Sequence, residues 1–140
     1  MKYADVNVGD ELTPLAVPLT RTLIVATAIA SRDYQDVHHD PELARRRGSD
    51  DIFMNILSTN GFVGRFITDW AGPDAVLRKV AIRLGAPNYP GDTMVLTGTV
   101  SAKHGDRRVE IAVRGVNAIG PHVTGTVVVR LPAAENRGNE

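Results

Sequence analysis

The sequence predicts an α+β domain in which one long apolar helix lies against a curled antiparallel sheet. Three observations carry this. Over residues 52–70 apolar side chains recur at helical spacing around almost the whole circumference, so that helix needs enclosure by a sheet. After Val76, apolar and polar residues alternate in four runs divided by glycine and proline turns, the pattern of antiparallel strands. The chain of 140 residues can bury one core but not two.

Residues 6–20 suit extended structure, broken by Pro14 and Pro18 and turning at Gly9-Asp10. Proline cannot donate to a ladder, so such a run belongs at an edge or in a lead-in. Thr22 is placed to cap a short apolar helix over residues 23–32. Ile24, Val25 and Ile29 also suit a strand, and the favoured reading is a strand passing into a helix. Asp40-Pro41-Glu42 starts the next helix: the aspartate caps, the proline's missing N–H costs nothing, and the glutamate meets the positive end of the dipole. Arg45, Arg46 and Arg47 then complement the negative end as a solvated face, with a phosphate clamp as the alternative, and Gly48 ends the helix.

Asp50 and Asp51 can cap the central helix, Gly61 and Gly64 permit another backbone to approach it, and Ala71-Gly72-Pro73 stops it. Val76, Val80, Ile82 and Leu84 share one face of the first strand run. Met94, Leu96, Gly98 and Val100 share one in the second, and Val109, Ile111 and Val113 in the third. Residues 86–92, Gly105-Asp106 and Gly120-Pro121 are turns, and residues 123–131 form the last strand. The folded unit is expected over residues 1–132, with 133–140 as a frayed tail.

Sixteen basic and sixteen acidic residues balance, so no long-range field favours nucleic acid or an anionic membrane. The absence of cysteine excludes disulfides, thiolate metal sites and a cysteine nucleophile, and fits a reducing cytosol. No signal-peptide core opens the chain and no run reaches a membrane span. A soluble, cytoplasmic domain is the expectation.

The chemistry concentrates in Arg32-Asp33-Tyr34-Gln35-Asp36-Val37-His38-His39-Asp40. On a helix Asp33 and His38 would point about 140° apart, and on a strand to opposite faces, so they meet only if the segment folds back as an irregular turn. A carboxylate beside a neutral imidazole can grip and deprotonate a water. The alternative is a solvated loop whose polar groups cap backbone. His38, His39 and Asp40 do not make a metal site, because adjacent side chains rarely converge. His39 is expected to pack or cap, and His104 and His122 to lie on the surface.

Two motifs resemble the MaoC-like hydratase/dehydratase branch of the hot-dog fold. The family's loop runs Ser-Gly-Asp-x-Asn-Pro-x-His, and Ser31, Asp33 and His38 match it in type and spacing. Its later Pro-x-x-Pro-Gly-Asp-Thr turn matches Pro87-Asn88-Tyr89-Pro90-Gly91-Asp92-Thr93. Gln35 and Asp36 replace the asparagine and proline, and Met54-Asn55-Ile56 stands where the family has His-Gly-Met. The loop, together with residues 51–57 and 68–73, is similar to the small catalytic subunits of heteromeric steroid enoyl-CoA hydratases, which act in bacterial cholesterol side-chain breakdown.

The resemblance implies a single hot-dog domain and addition of water across the α,β double bond of a steroid side-chain enoyl-CoA. Asp33 and His38 would hold the water and move its protons, and the backbone N–H of Asn55 would meet the thioester oxygen. Gln35 and Asp36 are candidates for supporting that pair. No cofactor or metal is implied, since CoA belongs to the substrate. The implied partner is a second MaoC-like hot-dog subunit, in some cases fused to an OB-type acyl-CoA-binding domain, with a thiolase-like aldolase taking the product. Two alternatives stay open: a homodimeric dehydratase of 3-hydroxyacyl thioesters in fatty-acid metabolism, and a non-catalytic module that binds acyl-CoA. A hot-dog thioesterase fits less well, because its carboxylate usually sits on the central helix, where the only acid is Asp69 at the far end.

Overall fold

The computed structural model describes residues 1–134; the expected tail over 133–140 lies outside the described residues except for its first two. The elements are β1 (Leu15–Pro18), α1 (Arg21–Ala30), α2 (Pro41–Arg46), α3 (Ile56–Ala71), β2 (Val76–Leu84), β3 (Thr93–Lys103), β4 (Arg108–Val116) and β5 (Pro121–Arg130), with a 3-10 turn at Asp36–His38. The five strands form one antiparallel sheet in the order β1-β3-β4-β5-β2. Its inner face supplies Met94, Leu96 and Val100 from β3, Val109, Ile111 and Val113 from β4, and Val123, Val127 and Val129 from β5, all buried. Val63, Phe66, Ile67 and Ala71 of α3 pack onto that face in a single cluster. Among the described residues no helix is long and apolar enough to cross a membrane.

Six expectations need correction. Helix α1 is capped by Thr20, whose Oγ1 accepts the Leu23 N–H at 3.0 Å, and not by Thr22. Leu19 is held in the Gly91-Asp92 turn by bonds in both directions, so Thr20 is the first residue free to begin the helix. Helix α3 begins at Ile56 rather than Ile52, because the preceding stretch finds backbone partners elsewhere and Asn55 caps the helix through Ser58 N–H. Asp51 binds Arg21 instead of capping α3.

The helix is also not enclosed all round: Ile56 and Leu57 are each 51% exposed, so one flank lies open. No backbone approaches Gly61 or Gly64; the close fit is at Gly98, where a Cβ would lie 2.9 Å from the Phe66 ring. Finally, β2 is bulged between Leu77 and Lys79, which leaves Val76 exposed while Val80, Ile82 and Leu84 keep the half-buried face.

The tightest backbone approach joins the edge strand to the sheet. A Cβ on Gly125 would stand 2.2 Å from the Ala81 carbonyl oxygen and 2.9 Å from Ile82 Cα. Gly125→Ala must push β2 away from β5, and a loss of about 1–3 kcal/mol is expected, measured as a lower denaturation midpoint at unchanged slope.

Candidate functional site

Helix α1 ends through a left-handed residue. Arg32 has φ 56°, the Arg32 N–H bonds to Ile29 O at 2.9 Å and the Asp33 N–H to Ala28 O at 3.0 Å. This pair of bonds is the common way to satisfy the last carbonyls of a helix, though glycine usually supplies the conformation. The reversal turns Asp33 inward. The next residues wind into the 3-10 turn Asp36–His38, begun by the His38 N–H to Gln35 O bond at 3.1 Å and closed by His39 and Asp40 N–H groups on Asp36 O. The segment thus folds back, and His38 Nε2 comes to 3.4 Å from Asp33 Oδ2.

The tautomer of His38 follows from its other nitrogen. Nδ1 lies 2.7 Å from the Phe53 carbonyl oxygen, which can only accept, so Nδ1 carries the proton. In the neutral ring the lone pair is therefore on Nε2, the nitrogen that faces Asp33. Its ring also meets Phe53 edge-on at 4.9 Å between centroids. Asp33 receives the Asn55 side-chain amide at 3.0 Å on Oδ2 and the Gln35 N–H at 3.3 Å on Oδ1. The Asn55 amide does most to hold the Asp33 carboxyl below its ordinary range; partial burial opposes it, the Gln35 N–H assists, and His38 adds to the lowering only through the charge of its protonated ring.

Residues 53–55 run extended between two loops. Phe53 N–H bonds to Val37 O at 3.2 Å and Met54 N–H to Asn88 O at 3.1 Å. Asn88, fully buried, is fixed in turn by the Asn117 amide on its Oδ1 at 2.9 Å, and Asn117 also donates to Pro87 O. The Pro87–Thr93 motif is thus a brace for the site. The backbone N–H of Asn55 has no acceptor among the described residues, and it sits at the positive end of α3.

These groups line a cavity of about 360 Å³ with Asp33, Gln35, His38, Phe53, Met54, Asn55 and Ile56 on one side and Leu84, Gly85, Pro87 and His122 on the other. A wider depression of about 630 Å³ on β2, β4 and β5 includes none of Asp33, His38 or Asn55. Gln35 lines the cavity, but its side chain makes no hydrogen bond among the described residues. The Asp36 carboxylate turns away from His38 and holds Arg47 Nε at 2.8 Å. Arg46 pairs with Glu42, and Arg45 reaches the Asp50 carbonyl, so the triplet forms a surface face. His39 is exposed at the end of the 3-10 turn. Among the described residues no group of His, Cys, Asp and Glu is arranged to hold a metal ion.

His122 corrects the sequence-based expectation that it lies on the surface. It is 2% exposed. Its Nδ1–H donates to Ala86 O at 2.6 Å and its Nε2 accepts the Thr59 hydroxyl at 2.8 Å. Burial pushes its pKa down, with the Ala86 bond opposing, so the ring stays neutral at the cavity wall. Period-two alternation places His122 outward; only the positions of Thr59 and Ala86 reveal why it is covered. The side-chain role of Asn55 was equally hidden, because its partners come from the end of α1. His104 is partly exposed and faces Glu110 at 3.1 Å.

A long helix on a curled antiparallel sheet, with an Asp–His pair at the start of the helix, defines the hot-dog class of thioester-handling hydratases. The chain matches the MaoC-like domain over residues 6–120 and belongs to that family. It is 48% identical over 120 residues to the 3-oxo-4,17-pregnadiene-20-carboxyl-CoA hydratase beta subunit of Mycobacterium tuberculosis, covering 86% of this chain and 92% of that one. Among solved structures it superposes on a chain of the ChsH1-ChsH2 complex from M. tuberculosis with a TM-score of 0.87 and 45% identity, over 90% of this chain and 98% of the other. The R-hydratase PhaJ1 from Pseudomonas aeruginosa shares the fold at a TM-score of 0.87 and 22% identity, over 94% and 86% of the two chains.

Two predictions test the scaffold. Arg32→Gly removes a left-handed strain of about 1 kcal/mol, partly offset by the greater freedom of the unfolded chain, so its melting temperature should rise. Arg21 binds Asp51 through two bonds of 2.8 Å. That guanidinium is the main reason the Asp51 carboxyl is lowered to about 2; burial opposes it, and the Ile52 N–H and the Arg21 and Arg45 charges add. Because the folded pKa lies below the unfolded value, the stabilisation is complete above pH ~4 and is lost as pH falls towards ~2. Asp51→Asn should melt below the wild type at pH ~6, with the gap closing through that window in thermal scans.

Proposed function

We propose that this chain is an enoyl-CoA hydratase that adds water across the α,β double bond of a steroid side-chain enoyl-CoA, working as the catalytic subunit of a heteromer. The observation that carries the reading is the Asp33–His38 pair, 3.4 Å apart, at the mouth of α3 beside the Asn55 N–H, which has no acceptor among the described residues. The steroid substrate is the one named for the M. tuberculosis relative.

In this reading one water sits between Asp33 Oδ2 and His38 Nε2. Its oxygen adds to the β-carbon as the pair removes a proton, and the α-carbon receives a proton from the same pair. The Asn55 N–H, with the α3 dipole behind it, meets the negative charge growing on the thioester oxygen. A donor of this kind is worth roughly 3 kcal/mol in the transition state. The fixed Nδ1–H of His38 keeps Nε2 free for the water, and the lowered Asp33 carboxyl stays ionised beside it. No cofactor beyond the CoA of the substrate is needed.

A second hot-dog subunit would cover the open flank at Ile56 and Leu57, as the two-component assembly of the matched structure suggests. In the same reading that subunit carries an OB-type acyl-CoA-binding domain, a thiolase-like aldolase consumes the product, and the assembly works in the cytoplasm.

The test is hydration of the steroid enoyl-CoA and of crotonyl-CoA, by the chain alone and with the second subunit, followed at the thioester-conjugation absorbance. Partner-dependent turnover of the steroid thioester is expected, with Asp33→Asn and His38→Ala each lowering kcat by about 10²–10⁴-fold. Turnover of crotonyl-CoA by the lone chain would instead indicate a homodimeric dehydratase. Binding of acyl-CoA without turnover under any condition would indicate a binding module.

A further inference from the structure

We infer that the side chain of Asn55 is a positioning residue, which orients the Asp33 carboxylate through a directed chain of hydrogen bonds. This deepens the reading above, in which only the Asn55 backbone acts, and it rests on Asp33 being the reacting carboxylate.

The direction of the amide is fixed by chemistry. Asn55 Oδ1 lies 3.0 Å from the Ser58 backbone N–H, a group that can only donate, and the Ser58 hydroxyl donates to the same oxygen. The amide NH₂ therefore points the other way, to Asp33 Oδ2 at 3.0 Å and Ser31 Oγ at 2.9 Å. Ser31 spends its own proton on the carbonyls of Thr27 and Ala28, at 2.8 and 3.0 Å, so only its lone pairs face Asn55. Every donor in this chain of bonds finds an acceptor, Asn55 is 2% exposed, and no buried polar side-chain atom among the described residues is left unpaired. The chain ends on Oδ2, the oxygen nearest His38 Nε2.

Among the described residues no lysine or arginine pairs with Asp33; its one ion-pair partner is His38. The other titratable group of the cavity wall is His122, and the first turn of α3 carries no charged side chain. An uncharged amide is thus the main group holding the carboxylate ionised, in keeping with its lowered pKa. The same residue ties three things together: the cap of α3, the end of α1 and the carboxylate.

The discriminating variant is Asn55→Ser, which keeps an N-cap oxygen and the backbone N–H but has no amide to reach Asp33. Asn55→Asp serves as a second, near-isosteric variant that also keeps the cap. The Asp33 carboxyl is titrated by carbon NMR in the full chain, and steroid enoyl-CoA hydration is followed across pH in the assembled enzyme. The expected result is an Asp33 titration and an acid limb of kcat that both move to higher pH. The value of kcat should fall at least about tenfold, with KM nearly unchanged. A lowered melting temperature with an unmoved Asp33 titration would make Asn55 a helix cap only and overturn the inference. If the titration moves but Asp33→Asn retains full turnover, the assignment of Asp33 fails and the positioning role falls with it.

Discussion

The site depends on the extended stretch at residues 53–55 being held at both sides. Phe53 is bound to the 3-10 turn through Val37 and His38, and Met54 to the buried Asn88. These bonds deny the helix its earlier start, and that denial creates the geometry. Had α3 begun at Ile52, the Phe53 carbonyl would point along a helix axis and could not fix His38. Asn55 would be a helical residue with its N–H satisfied internally. The apparent loss of one helical turn is what places an acceptor for His38 and a free donor in the same cavity.

The electrostatics are economical in charge. Asp33 sits at the C-terminal end of α1, an unfavourable place for a carboxylate, and among the described residues no lysine or arginine offsets it. Compensation comes from the start of α3, from the Asn55 amide and from the Gln35 N–H. Uncharged donors of fixed direction hold an anion without a counter-charge, which in the proposed reaction would bind it too tightly to act as a base. His38 is treated in the same way, with one nitrogen committed to a carbonyl and the other left free.

The strands and their turns were legible in the sequence because each is coded locally, by period-two alternation and by Gly-Asp or Gly-Pro pairs. The α2 start at Asp40-Pro41 was legible for the same reason. What stayed hidden depended on partners distant in sequence. The onset of α3 is decided by Val37 and Asn88, the burial of His122 by Thr59 and Ala86, and the bulge in β2 by its register with β5. The exposed Ile56 and Leu57 satisfied the helical pattern, yet they lie on the flank the sheet does not reach. Asp33 and His38 stood out by spacing and by likeness to the family loop, while the Asn55 side chain gave no local signal.

The bracing of the site also orders its assembly. His38 meets Phe53 across 15 positions, Met54 meets Asn88 across 34, and Thr59 meets His122 across 63. Such closures come late, because the chain entropy lost in each must be offset by sheet contacts already made. Asp33, His38 and Asn55 are all synthesised before Asn88 and His122, which complete the brace. A nascent chain that has emerged only as far as α3 holds Asp33, His38 and Asn55 together with Phe53, but neither Asn88 nor His122, so the braced arrangement is complete only once the final strand has joined the sheet.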